Sequence, residues 1–106
     1  MRINIKPLSV NEAWQGRRFK TPKYKKYHKE VFALLKPMTL NKAPYSIKIT
    51  FGFSNVLSDI DNPLKPFLDI LQAKYNINDR DIYLLIVKKE VVKKGFDFIE
   101  FEINEL

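Results

Sequence analysis

Residues 58–69 read SDIDNPLKPFLD and crowd Asp59, Asp61 and Asp69 together with Lys65, Pro63 and Pro66. Carboxylates this close repel one another unless a positive partner lies among them, and the candidates are a lysine, a helix N-terminus or a metal ion. A second acidic pair, Asp79 and Asp81, follows in NINDRDI. Carboxylate oxygens are hard ligands that suit Mg²⁺ or Mn²⁺. Three of them gathered on a basic chain would make a cage for such ions, and ions held that way hydrolyse phosphodiesters.

The elements that must position these groups can be read outward from the prolines. The residue before a proline is pushed toward extended geometry, so Asp59 to Asp61 is expected to be extended, with both carboxylates on one side. Asn62 is expected as N-cap and Pro63 as the first residue of a helix running to about Lys74, its core stripe being Leu64, Phe67, Leu68 and Leu71. Lys65 then projects from the first turn near Asp61. Pro66 has no N–H to give the Asn62 carbonyl, which is left without a helical donor. The plainer reading is capping chemistry plus an Asp61–Lys65 surface pair worth a few tenths of a kcal/mol. The acidic reading gains if the strand led by Asp79 pairs beside the preceding strand and brings its carboxylate to the helix N-terminus.

Elsewhere, RINIK at 2–6 alternates like a half-buried strand, and residues 7–21 show no period and read as a long loop. Thr21-Pro22 starts a helix with Tyr24, Tyr27, Val31, Leu34 and Leu35 on one face and Lys25, Lys26 and Lys29 on the other, ended by Pro37. His28 lies at the edge of the apolar stripe and reads as structural. YSIKITFGF at 45–53 is the clearest strand. DIYLLIVKKEV supplies another from Ile82, Lys93-Lys94-Gly95 resembles a hairpin turn, and FDFIEFEI returns as the last strand. This order predicts one small α+β domain over residues 1–106, a mixed sheet with two helices packed on it.

The net charge of +7 is concentrated at one end. Residues 1–31 carry nine Lys/Arg against Glu12 and Glu30, and the remaining 75 residues balance. Arg17, Arg18, Lys20, Lys23, Lys25, Lys26 and Lys29 follow one another with no acid between them. Such a segment attracts a polyanion, nucleic acid being the common one, or is simply a solvated basic face. Without cysteine there are no disulfides or thiolate metal sites. No apolar run reaches membrane-spanning length and no signal-peptide pattern opens the chain, so a soluble, cytoplasmic protein with no membrane partner is expected.

SDIDNPLKPFLDIL and INDRDI together resemble the RusA family of Holliday junction resolvases, small endodeoxyribonucleases often encoded by phages and prophages. The family pattern is Asp-x-Asp-Asn with Lys three residues on, then a Leu-Asp-x-Leu helix and an Asp-Asp pair before a strand. Asp59, Asp61, Asn62, Lys65, Asp69 and Leu71 match it, and Asn78-Asp79 stands where the pair would be. KPLSVNEAWQGRRFKTPKYKKY is similar to the family's opening. The resemblance implies a homodimer that cuts four-way junction DNA symmetrically with Mg²⁺ (Mn²⁺ as substitute), in recombination and repair. It implies Asp59, Asp61 and Asp79 as metal ligands and catalytic groups, with Asp81 competing for the third place. On this reading Lys65 neutralises charge on the scissile phosphate, and Asp69 is its structural partner. Arg17, Arg18, Lys20, Lys23, Lys25 and Lys26 hold the DNA backbone. Trp14 wedges or stacks in the junction, or packs in a core or a dimer contact. Two alternatives remain open: a non-catalytic DNA- or RNA-binding module, and a less selective branched-DNA nuclease.

Overall fold

Alternation decides the central strand. In β4 (Tyr45–Phe53) the odd-numbered residues Tyr45, Ile47, Ile49, Phe51 and Phe53 are buried, while Ser46, Lys48 and Thr50 face the more open side. The computed structural model describes residues 1–15, 19–40 and 42–106. On one flank of β4 lies β6 (Phe98–Glu105), antiparallel, with the two-residue strand β1 (Arg2–Ile3) beyond it. On the other flank lies β5 (Ile82–Val91), which runs parallel to β4. The order is β1-β6-β4-β5, a four-stranded mixed sheet in a single α+β domain.

Two helices cover the face carrying Ile47, Ile49, Phe51, Ile99, Phe101 and Ile103. The helix α2 (Pro22–Leu34) begins as expected, with the Thr21 side chain accepting from the Tyr24 N–H at 3.1 Å. Its buried stripe is Tyr24, Tyr27, Val31 and Leu35; Leu34 is 48% exposed and lies off it. The second helix, α3 (Leu64–Tyr75), buries Phe67, Ile70 and Leu71, leaving Leu64 and Leu68 only half-buried. Phe67 packs edge-on against Phe51 and Phe101, at 5.9 and 5.5 Å between ring centroids. Asn76, in the left-handed region at φ 53°, closes the helix.

Three expectations are corrected. The expected first strand spans only Arg2–Ile3 rather than residues 2–6. The stretch expected as a loop holds a one-turn helix, α1 (Val10–Ala13), capped by Ser9, and a ribbon of β2 (Trp14–Gln15) with β3 (Phe19–Lys20). Elements this short leave no period to read. Finally, β5 and β6 do not form a hairpin, because β4 lies between them. Their connection crosses the end of β4, where the Val92 N–H donates to the Phe53 carbonyl at 2.7 Å and Gly95 turns at φ 91°. Among the described residues no helix is long and apolar enough to cross a membrane.

Candidate functional site

The stretch from Asp59 to Pro63 is folded into turns, not extended. The Asn62 N–H donates to the Asp59 carbonyl at 3.3 Å, and the Leu64 N–H donates to the Asp61 carbonyl at 3.2 Å. Asn62 also donates from its side chain to a carboxylate oxygen of Asp59 at 3.4 Å. The helix starts one residue later than its sequence suggests. Pro63 takes the cap position with φ −85° and ψ −5°, and no side chain caps the helix. The carbonyl that Pro66 leaves without a donor has one nonetheless: the Val10 N–H, at 2.7 Å. This bond from α1 is what draws the chain around and replaces the extended geometry.

Asp59 and Asp61 are therefore exposed side chains on one tight turn ahead of α3. Lys65 stands on the first turn of that helix, and its nearest carboxylate is Asp69 at 3.7 Å, one helical turn on, rather than Asp61. The Trp14 ring lies within 6.0 Å of the Lys65 ammonium and 5.8 Å of the Lys20 ammonium. Trp14 thus joins the basic segment to the first turn of α3, although its indole nitrogen is buried with no hydrogen-bond partner among the described residues. Lys20, Lys23, Lys25 and Lys26 are all exposed. Lys23 is held to Glu12 at 2.7 Å and Lys26 lies 3.9 Å from Glu30; among the described residues Lys20 and Lys25 have no carboxylate within salt-bridge reach. Arg17 and Arg18 lie outside the described residues.

The third aspartate is elsewhere. Asp79 and Asp81 form a single 3₁₀ turn capped by Asn78, whose side chain accepts from the Arg80 N–H at 3.1 Å. β5 pairs with β4 from Ile82 beside Tyr45 to Val91 beside Phe53, so the start of β5 sits at the start of β4. The acidic turn of Asp59 and Asp61 follows the end of β4. The helix α3 carries the chain back down the sheet, which puts the two acidic turns on the order of 20 Å apart. The expectation that Asp79 would reach the helix N-terminus fails within one chain, because the paired strands are parallel and start at the same end. Among the described residues no three His, Asp or Glu side chains gather closely enough to hold a metal ion.

Asp59 instead lines a cavity of about 340 Å³ with Glu12, Ser9, Ser54 and Asp97. The Lys23 ammonium, hydrogen-bonded to Glu12, holds that carboxyl below its usual range. Asp97 accepts from the Ser54 N–H at 3.4 Å. Lys89 reaches from β5 to the carbonyls of Val56 (2.8 Å) and Ser58, tying down the loop ahead of the acids. Sequence spacing does not single out Glu12, Lys89 or Asp97. Lys89 and Asp97 arrive through β4's parallel pairing and the crossover beyond it, and Glu12 through α1, which Val10 fastens to Asn62; no local motif announces either. Comparison with known protein families finds none that matches the chain, and comparison with curated proteins finds no relative.

Proposed function

We propose that this protein is a Mg²⁺-dependent endodeoxyribonuclease that cuts four-way DNA junctions as a homodimer, with Mn²⁺ able to substitute. The carrying observation is the contact set around Trp14, which brings Lys20 of the basic segment and Lys65 of the acidic site to one indole ring. A phosphate backbone held by Lys20, Lys23, Lys25 and Lys26 would pass beside Asp59 and Asp61. Arg17 and Arg18 belong to the same proposed backbone contact. Backbone contacts of this kind supply affinity without sequence preference.

A single chain supplies only half of the acidic site, and a second copy can supply the rest. β5 is an edge strand of ten residues, with Tyr83, Leu84, Leu85, Ile86 and Val91 exposed. A long apolar edge is a template for pairing with another chain. Two copies of β5 paired antiparallel about a two-fold axis would reverse one strand relative to the other. The start of one β5 would then lie at the end of its neighbour, so Asp79 of a second copy approaches Asp59 and Asp61 of the first. Those three carboxylates fit the oxygen-ligand preference of Mg²⁺. The ion, when bound, supplies an activated water and charge stabilisation at the scissile phosphate. Lys65, exposed on the first turn of α3, offsets negative charge growing on the phosphoryl oxygens.

The decisive experiment compares wild type with Asp61→Asn on a synthetic four-way junction. Wild type nicks opposing strands symmetrically and EDTA stops it; Asp61→Asn binds the junction but does not cut. Equal cutting by the variant would overturn the assignment. Linear and flapped substrates run alongside distinguish a junction-selective enzyme from a broader nuclease. One observation favours a non-catalytic DNA-binding module, namely the placement of the acidic turns at opposite ends of one chain. That reading expects metal-independent binding and no nicks.

A further inference from the structure

A row of aromatic rings runs from the acidic site along α2. Trp14, Tyr24, His28 and Phe32 follow one another at ring-centroid spacings of 5.7, 6.1 and 5.9 Å. Tyr24 is buried at the head of the row, while Phe32 is 38% exposed and His28 half-buried. Tyr24, His28 and Phe32 floor an open, mostly apolar groove of about 540 Å³, rimmed by Lys20, Lys25 and Lys29, and among the described residues no carboxylate lines it. A fourth ammonium, Lys74 of α3, sits 4.5 Å above the Phe32 ring and is fixed there by donating to the Phe32 carbonyl at 3.0 Å.

We infer that this groove takes a single strand of unpaired DNA, its bases stacked on Phe32 and His28 and its phosphates on Lys20, Lys25, Lys29 and Lys74. An aromatic, apolar floor and a cationic rim together match a ligand with planar apolar groups strung on an anionic backbone. A base can stack on an exposed ring only when it is free of its own neighbours, so ring faces of this kind favour an unpaired strand over a duplex. The inference rests on reading the chain as a DNA-binding protein and adds the unpaired segment of the substrate, next to the cutting site.

The test uses full-length protein in EDTA, with fluorescence anisotropy of labelled oligo(dT) and of a duplex of equal length. Phe32→Ala is expected to weaken oligo(dT) binding about five- to tenfold while changing duplex binding less than twofold. Phe32→Tyr restores it, which separates loss of a stacking ring from misfolding. Lys25→Ala with Lys29→Ala weakens both ligands and lowers the salt dependence. Equal effects of Phe32→Ala on both DNAs, or none on either, overturn the inference. So does binding to anionic lipid vesicles in preference to oligo(dT). Because no cutting is read, the result is independent of the outcome for Asp61→Asn.

Discussion

The Val10 N–H donates to the Asn62 carbonyl across 2.7 Å, supplying from one helix the bond that Pro66 removes from another. Proline in the third helical position of α3 would ordinarily leave that acceptor to water. Here the vacancy becomes an anchor: α1 is fastened to the acidic turn, and the orientation of Asp59 and Asp61 depends on a residue about fifty positions earlier in the chain.

Val10→Pro tests this anchor. Val10 is the first residue of α1 and follows Ser9 at ψ 145°, so proline is conformationally acceptable there and the change falls mainly on the donated bond. Loss of about 1–2 kcal/mol in urea denaturation is expected. Junction cutting should fall by more than the stability change explains, since the turn is released.

Mixing two inactive variants tests the composite site. Asp61→Asn and Asp79→Asn are each expected to be inactive alone. If the site draws on two chains, a mixed dimer contains one site with both defects and one with none, so partial cutting returns on mixing and re-equilibration. Were the three acids to act within one chain, no mixture would recover activity.

Lys65→Ala separates chemistry from stability. Its pair with Asp69 is 3.7 Å apart and its side chain 64% exposed, so the change in stability should stay below about 0.5 kcal/mol. Nicking should drop by about 10²-fold, read as the single-turnover rate with junction binding held near saturation.

Gly52 is fixed by a neighbour rather than by its backbone. A Cβ there would enter the ring of Phe98 at Cδ1 and Cε1, and that ring is in turn stacked under the Arg2 guanidinium at 3.8 Å. Gly52→Ala should destabilise the sheet by about 1–3 kcal/mol. Adding Phe98→Leu should recover part of the loss, as a double-mutant cycle in denaturant would measure.

His28 predicts an acid-side dependence of stability. Burial lowers its pKa below 6.5, the Lys20 charge lowers it further, and Asp69 opposes both. A base depressed in the folded state binds fewer protons there than when unfolded. Stability is therefore unaffected well above 6.5 and declines as pH falls through that value toward the folded pKa. Melting temperatures at successive pH values should show a shallower decline between neutral and mildly acidic pH for His28→Asn than for wild type.

Local patterns made α2, β4 and β6 legible. Thr21-Pro22 states where a helix begins, and alternation from Tyr45 to Phe53 states which side is buried. Sheet order was not legible, because Lys93-Lys94-Gly95 looks the same whether the strands it joins are adjacent or separated by β4. The apolar run from Ile82 reads as a strand, but nothing local states that it lies at an edge with its apolar residues exposed. At the acidic site the residue types were legible, but spacing pointed Lys65 at Asp61, whereas its ion pair is with Asp69 one helical turn on. The turn geometry was not legible, since the donor to the Asn62 carbonyl is Val10, far away in sequence. Nor was the separation of Asp79 from Asp61, which is a property of parallel pairing and not of either motif.

Lys89 gives the edge strand a reach beyond its own backbone. With its ammonium clasped by the carbonyls of Val56 and Ser58, any twist or sideways slip of β5 is transmitted to the segment bearing Asp59. Docking of a companion molecule along that strand would thus be felt mechanically at the acidic turn, as tension through one lysine. Acetylating Lys89 would slacken the tether while leaving the docking strand itself in place.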